Sequence, residues 1–165
     1  MTTATTDGLI TYYADLLERL DRFAAMVLPP NDGDEAELAR ASDGSLLLDL
    51  EARLPVGRHS ADVELDLFER WAPAARDTFE RSEYRFELRH RGLDYRRAYH
   101  RHDVDHFVRA FDVATHEHCE TPIGIAACGH YAGAPVANAI EAFDSLYDLW
   151  LTGAPPECGS LRCLG

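Results

Sequence analysis

Apolar side chains at Leu9, Tyr12, Tyr13, Leu16, Leu20, Phe23, Ala24 and Val27 recur every three or four residues, which predicts an amphipathic helix over 8–27. Thr5, Thr6 or Asp7 can cap its start, and Pro29-Pro30 stops it. Residues 31–44 are acidic and turn-rich, with room for a short helix from Glu35 to Ala41. Asp32, Asp34 and Glu37 hint at a calcium loop, but the full ligand spacing is missing, so a solvated linker is expected. Leu46 to Leu50 reads as a strand and Pro55-Val56-Gly57 as a turn. Val63, Leu65 and Leu67 alternate with Glu64 and Asp66, so a half-buried strand should complete a hairpin.

Trp71 to Glu80 is expected to cross over, with Pro73 interrupting regular structure at its start. Tyr84, Phe86 and Leu88 then alternate with Arg85, Glu87 and Arg89. Arg91-Gly92-Leu93-Asp94 turns, Tyr95 to His102 returns, and an extended segment through Phe107, Arg109, Phe111 and Val113 leads to His116 and His118. Near the end, Ile140, Phe143, Leu146, Tyr147, Trp150 and Leu151 form a second helical stripe, with Pro135 at its start and Gly153 beyond it. The order of elements predicts one α+β domain over 1–165: an antiparallel β-sheet meander over 46–120 packed against an N-terminal helix (8–27) and a C-terminal helix (135–152), with a loose tail at 153–165.

Charge sharpens this outline. The formal net charge is −13, and every one of the 16 basic residues is arginine. Such a surface suits a salt-adapted protein or an acidic one from a GC-rich genome, and it argues against a general nucleic-acid coat or an anionic membrane as partner. The charge is uneven. Residues 81–118 hold eight arginines against seven acids, a net of +1, leaving −14 elsewhere. That island either receives an anion locally or pairs its arginines with carboxylates along a solvated sheet face. No stretch reaches the length of a membrane span. Four cysteines (Cys119, Cys128, Cys158, Cys163) lack zinc-ribbon or secreted-framework spacing, so buried or incidental thiols and a reduced, cytoplasmic setting are expected.

Seven of the eight histidines (His90, His100, His102, His106, His116, His118, His130) lie between Tyr84 and His130. Groups that titrate near neutrality are not expected to gather so densely as surface decoration. On strands, residues two apart share a face, so His116, His118 and Glu120 should line up, as should His100 and His102. Three readings follow. Two histidines and a carboxylate suit zinc or non-haem iron, with His116, His118 and Glu120 as ligands and His100 or His102 completing the set. Alternatively, with no cofactor, His116 and His118 act as acid and base in RNA cleavage. Arg109 or Arg101 would then clamp the anion, supported by Tyr99, His100 and His102. The third reading is structural: the histidines and arginines pair with Asp103, Asp105, Asp112 and Glu117 in a non-catalytic interaction domain.

The succession Tyr84-Arg85-Phe86-Glu87-Leu88, Tyr99-His100-Arg101-His102, Thr115-His116-Glu117-His118 and a closing helix from Ala139 to Leu151 resembles the TumE-like toxins of toxin–antitoxin modules. These are small α+β proteins regarded as ribonucleases, and the likeness covers about residues 84–151. It implies RNA as substrate, an antitoxin as partner, and catalytic roles for Arg109, Asp112, His116 and His118, which match an Arg-x-x-Asp followed by His-x-His. The chain departs from that pattern in its extra N-terminal helix, its acidity, and the Glu117 and Glu120 that flank the histidines.

Overall fold

The computed structural model describes residues 2–23, 26–27, 38–54, 63–101, 115–125 and 136–152, with backbone alone at 26–27 and 148–152. The first amphipathic stretch forms α1 (Thr6–Arg22), where Thr5 is the cap: its hydroxyl accepts a hydrogen bond from the Gly8 amide at 3.2 Å. The helix stops short of the expected residue 27. Two β-prone residues, Met26 and Val27, instead form β2 (Met26–Val27) against the far end of β4 (Leu46–Leu54). β3 (Ala39–Arg40) pairs with the other end of β4, in part of the stretch expected to be helical. The rest of that short helix, the 55–57 turn, the 107–113 segment, Pro135 and the 153–165 tail lie outside the described residues.

The expected crossover between Trp71 and Glu80 is replaced by a tight hairpin. β5 (Val63–Ala75) runs straight through Pro73 and returns as β6 (Thr78–His90), with Ala75 opposite Thr78. Asp77 takes the left-handed conformation the two-residue connection needs, at φ 54°, and Thr6 donates to its carboxylate at 2.6 Å. Pro73 is tolerated because it sits at a register irregularity near the strand end, where a missing N–H costs little. β7 (Tyr95–Arg101) and β8 (Thr115–Glu120) complete an antiparallel sheet of order β2-β4-β5-β6-β7-β8, while β1 (Thr3–Ala4) pairs with the start of β6.

Both helices, α1 and the C-terminal α2 (Ala139–Thr152), cover one face of this sheet, giving the expected two-layer α+β fold. Leu16 and Leu20 of α1 and Phe143 and Leu146 of α2 meet Leu48, Leu50, Leu65, Leu67, Phe86 and Leu88 in the core. Leu9, Leu46, Trp71 and Phe79 form a smaller cluster beside it. No described helix is long and apolar enough to cross a membrane.

Strand alternation sends the polar residues to the opposite face. There Arg85 pairs with Asp66, Arg91 with Glu64, Arg89 with Glu87, and Arg96 with both Glu87 and Glu120. The local excess of arginine is thus largely matched by carboxylates across the strands.

Candidate metal centre

The register of β7 and β8 decides which histidines meet. His100 lies opposite His116, and Ala98 lies opposite His118, so all three imidazoles emerge on the polar face. Ring centroids are 4.7 Å apart for His100 and His118, 5.0 Å for His116 and His118, and 5.5 Å for His100 and His116. One ligand nitrogen from each falls within 4.8 Å of the others, and among the described residues this is the group suited to a metal ion. Zinc bonds to imidazole nitrogen at about 2.0–2.1 Å, so a tetrahedral ion asks for nitrogens roughly 3.4 Å apart. The widest pair therefore has to close by roughly 1.4 Å for an ion to be held.

The site is walled rather than open. His116 is 2 % exposed, and the side chains of His100 and His118 are 12 % and 13 % exposed. Carboxylates stand behind two of the rings. Glu87 Oε2 is 3.9 Å from His100 Nε2, and Glu120 Oε1 is 3.8 Å from His118 Nδ1. At these distances they are charge neighbours, and drawn into hydrogen-bond range they would orient ligating imidazoles and raise their basicity. Burial alone would push the Glu87 carboxyl up, but the neighbouring His100 and the guanidiniums of Arg96 and Arg89 hold it far below the ordinary carboxylate range.

That depression has a sign. A carboxyl whose folded value lies below its unfolded value stabilises the fold above the unfolded value, about 4.3. The contribution then fades as pH falls through the depressed value. In chelator-treated protein, urea midpoints should therefore fall steadily below about pH 4, and Glu87→Gln should flatten that decline. Parallel midpoint curves for the two proteins would show that Glu87 does not carry it.

The sequence candidates divide sharply. His100, His116 and His118 come together, and Glu120 shares their face. Its carboxylate is committed to Arg96 and to the Gly124 amide at 2.8 Å, so His100 completes the cluster in its place. Tyr99 and Arg101 alternate with His100 and so lie on the helix-covered face, where Tyr99 packs on the core. His102, Arg109 and Asp112 lie outside the described residues, as do Asp103, Asp105, His106 and His130. Glu117 also faces inward and pairs with Arg97; burial pushes its carboxyl up against that pairing. His90 accepts a hydrogen bond from the Leu93 amide at 3.2 Å on Nδ1 and serves the turn. Sequence reasoning had no signal for Glu87, because Arg85-Glu87-Arg89 reads as a solvated stripe, yet Glu87 is 1 % exposed.

One expectation about cysteine fails. Cys119 is fully buried on the helix-covered face beside the Tyr95 hydroxyl, and it forms a disulfide whose other half lies outside the described residues. The expected burial of Cys119 holds, and the expected free thiol does not.

Comparison with protein-family models, with characterised proteins and with solved structures returned no match for this chain.

Proposed function

We propose that the protein is a metal-dependent enzyme whose centre is a zinc or ferrous ion held by His100, His116 and His118. The convergence of three imidazoles from two adjacent strands carries this reading. Three neutral nitrogen ligands are a familiar catalytic set, leaving at least one position for water or substrate. Such an ion would act as a Lewis acid and lower the pKa of a bound water, chemistry that serves hydrolysis or hydration. Glu87 and Glu120 would orient the ligands, with the arginines around them balancing the carboxylate charge.

Metal-free RNA cleavage by His116 and His118, with an antitoxin as partner, asks for an arginine aimed at the histidines. On that face Arg85, Arg89, Arg91 and Arg96 are engaged by carboxylates, and Arg101 points the other way. The ribonuclease reading therefore leans on Arg109 and on the likeness of pattern, and the metal reading has more to stand on. A cytoplasmic setting is likewise a proposal, and the Cys119 disulfide weighs against a strongly reducing compartment.

Elemental analysis of protein purified without a metal-affinity column tests the metal reading. About one zinc or iron per chain is expected, lost in His116→Ala and His118→Ala. His118 is the more exposed of the two, so its variant should stay folded by circular dichroism. A folded wild-type protein that takes up neither ion on titration would overturn the proposal.

A further inference from the structure

On the helix-covered face, at the end of the sheet where β6, β7 and β8 lie side by side, the structure holds a cavity of about 360 Å³. Its construction follows from register. Tyr84 is opposite Arg101, and Arg101 is opposite Thr115, so the three strands contribute one rung of side chains to the same face. Arg81 joins them through a bulge. The alternation of Tyr84, Phe86 and Leu88, continued backwards, would turn Ser82 inward, but the register slips between Arg70 and Trp71. Arg81 and Phe79 are thereby buried and Ser82 faces out. Thr2, Val136 and Ala137 also line this half-open pocket.

The polar side chains of this pocket are hydrogen-bond donors or can become so, and its described lining contains no carboxylate although the chain carries −13 overall. Arg81 is 4 % exposed. One of its terminal nitrogens donates to Glu69 at 2.8 Å and the other to the Val136 carbonyl at 3.3 Å, while its Nε has no hydrogen-bond partner. The Tyr84 hydroxyl is buried beside this lining next to the Thr115 side chain, with the ring 4.5 Å beneath the Arg81 guanidinium. Among the described residues Arg101 has no carboxylate partner, unlike the arginines of the opposite face. Buried donors without acceptors are costly, and a guanidinium fork with hydroxyls around it matches an oxyanion carrying several acceptor oxygens.

We infer that this pocket is a binding site for a small phosphate-bearing molecule, gripped by Arg101 with Thr115, with Tyr84 and Arg81 forming its inner wall. Phosphate rather than carboxylate fits the number of donors, because it offers three terminal oxygens where a carboxylate offers two. Adjacent residues of a strand point to opposite faces, so the site lies on the other side of β7 from His100 and does not depend on the metal reading.

Calorimetric titration of the full chain with inorganic phosphate, at constant ionic strength and after chelator treatment, tests this. Saturable binding of about one phosphate per chain is expected, weakened roughly tenfold or more in Arg101→Ala. Arg101→Lys should fall between the two, since it keeps the charge and loses the fork. Tyr84→Phe should weaken binding while leaving the fold intact, and His118→Ala should leave it unchanged. Absence of saturable binding by wild-type protein overturns the inference. So does binding that Arg101→Ala spares and His118→Ala abolishes, or acetate binding at the same site more tightly than phosphate.

Discussion

Replacing Glu69 with alanine is expected to destabilise the protein by about 3–5 kcal/mol, read as a drop in the guanidinium unfolding free energy. Glu69 is completely buried and accepts hydrogen bonds from Arg81 at 2.8 Å and from the Trp71 indole at 3.0 Å. Burial pushes its carboxyl up from the ordinary range, against the Arg81 charge and these hydrogen bonds, which favour ionisation. Removing the carboxylate leaves a guanidinium that is 4 % exposed facing aromatic rings with no counter-charge. The cost comes mainly from that stranded charge, so Glu69→Leu combined with Arg81→Met should recover most of it. A single-variant loss below about 1 kcal/mol would mean that water reaches the pair and that it behaves like a surface bridge.

Phe143→Ala should be comparably severe, about 3–5 kcal/mol, which for a chain of this size lowers the melting temperature by roughly 10 °C. Phe143 is fully buried in α2, with its ring centroid 5.6 Å from Phe23 and 5.5 Å from Tyr147. It therefore joins the C-terminal helix to the end of α1 as well as to the sheet. The Arg19–Asp144 bridge links the same two helices from outside, with side chains 33 % and 42 % exposed. Asp144→Ala should cost no more than about 1 kcal/mol. Equal effects for the two variants would show that the helices are held at their solvent edge rather than through the core.

Period-two alternation made β6, β7 and the face shared by His116 and His118 legible in the sequence, and period 3.6 made both helices legible. The same alternation separates Tyr99 and Arg101 from His100, although the unbroken run Tyr99-His100-Arg101-His102 invites grouping them as one site. What periodicity does not carry is pairing. Nothing local to β7 specifies that β8 is its neighbour with His100 opposite His116; long-range packing decides it. Pro73 misled for a similar reason, because whether a missing N–H matters depends on the partner strand. The bulge that buries Arg81 leaves no trace in residue pattern either, so the Glu69–Arg81 pair and the cavity beside it were out of reach of sequence reasoning. Glu87 escaped because an arginine–glutamate stripe looks the same whether or not the face is covered.

β8 is the last strand of the described sheet and bonds to β7 alone among the described strands. Terminal strands are the natural units of local opening, which amide exchange reads directly. An ion held by His100 on one strand and by His116 and His118 on the other would act as a clasp across that seam. Amide protons of Thr115–Glu120 would then exchange more slowly in metal-loaded than in chelated protein, while those of β4 and β5 would keep their rates. Loading the centre and locking the sheet's edge would become one event.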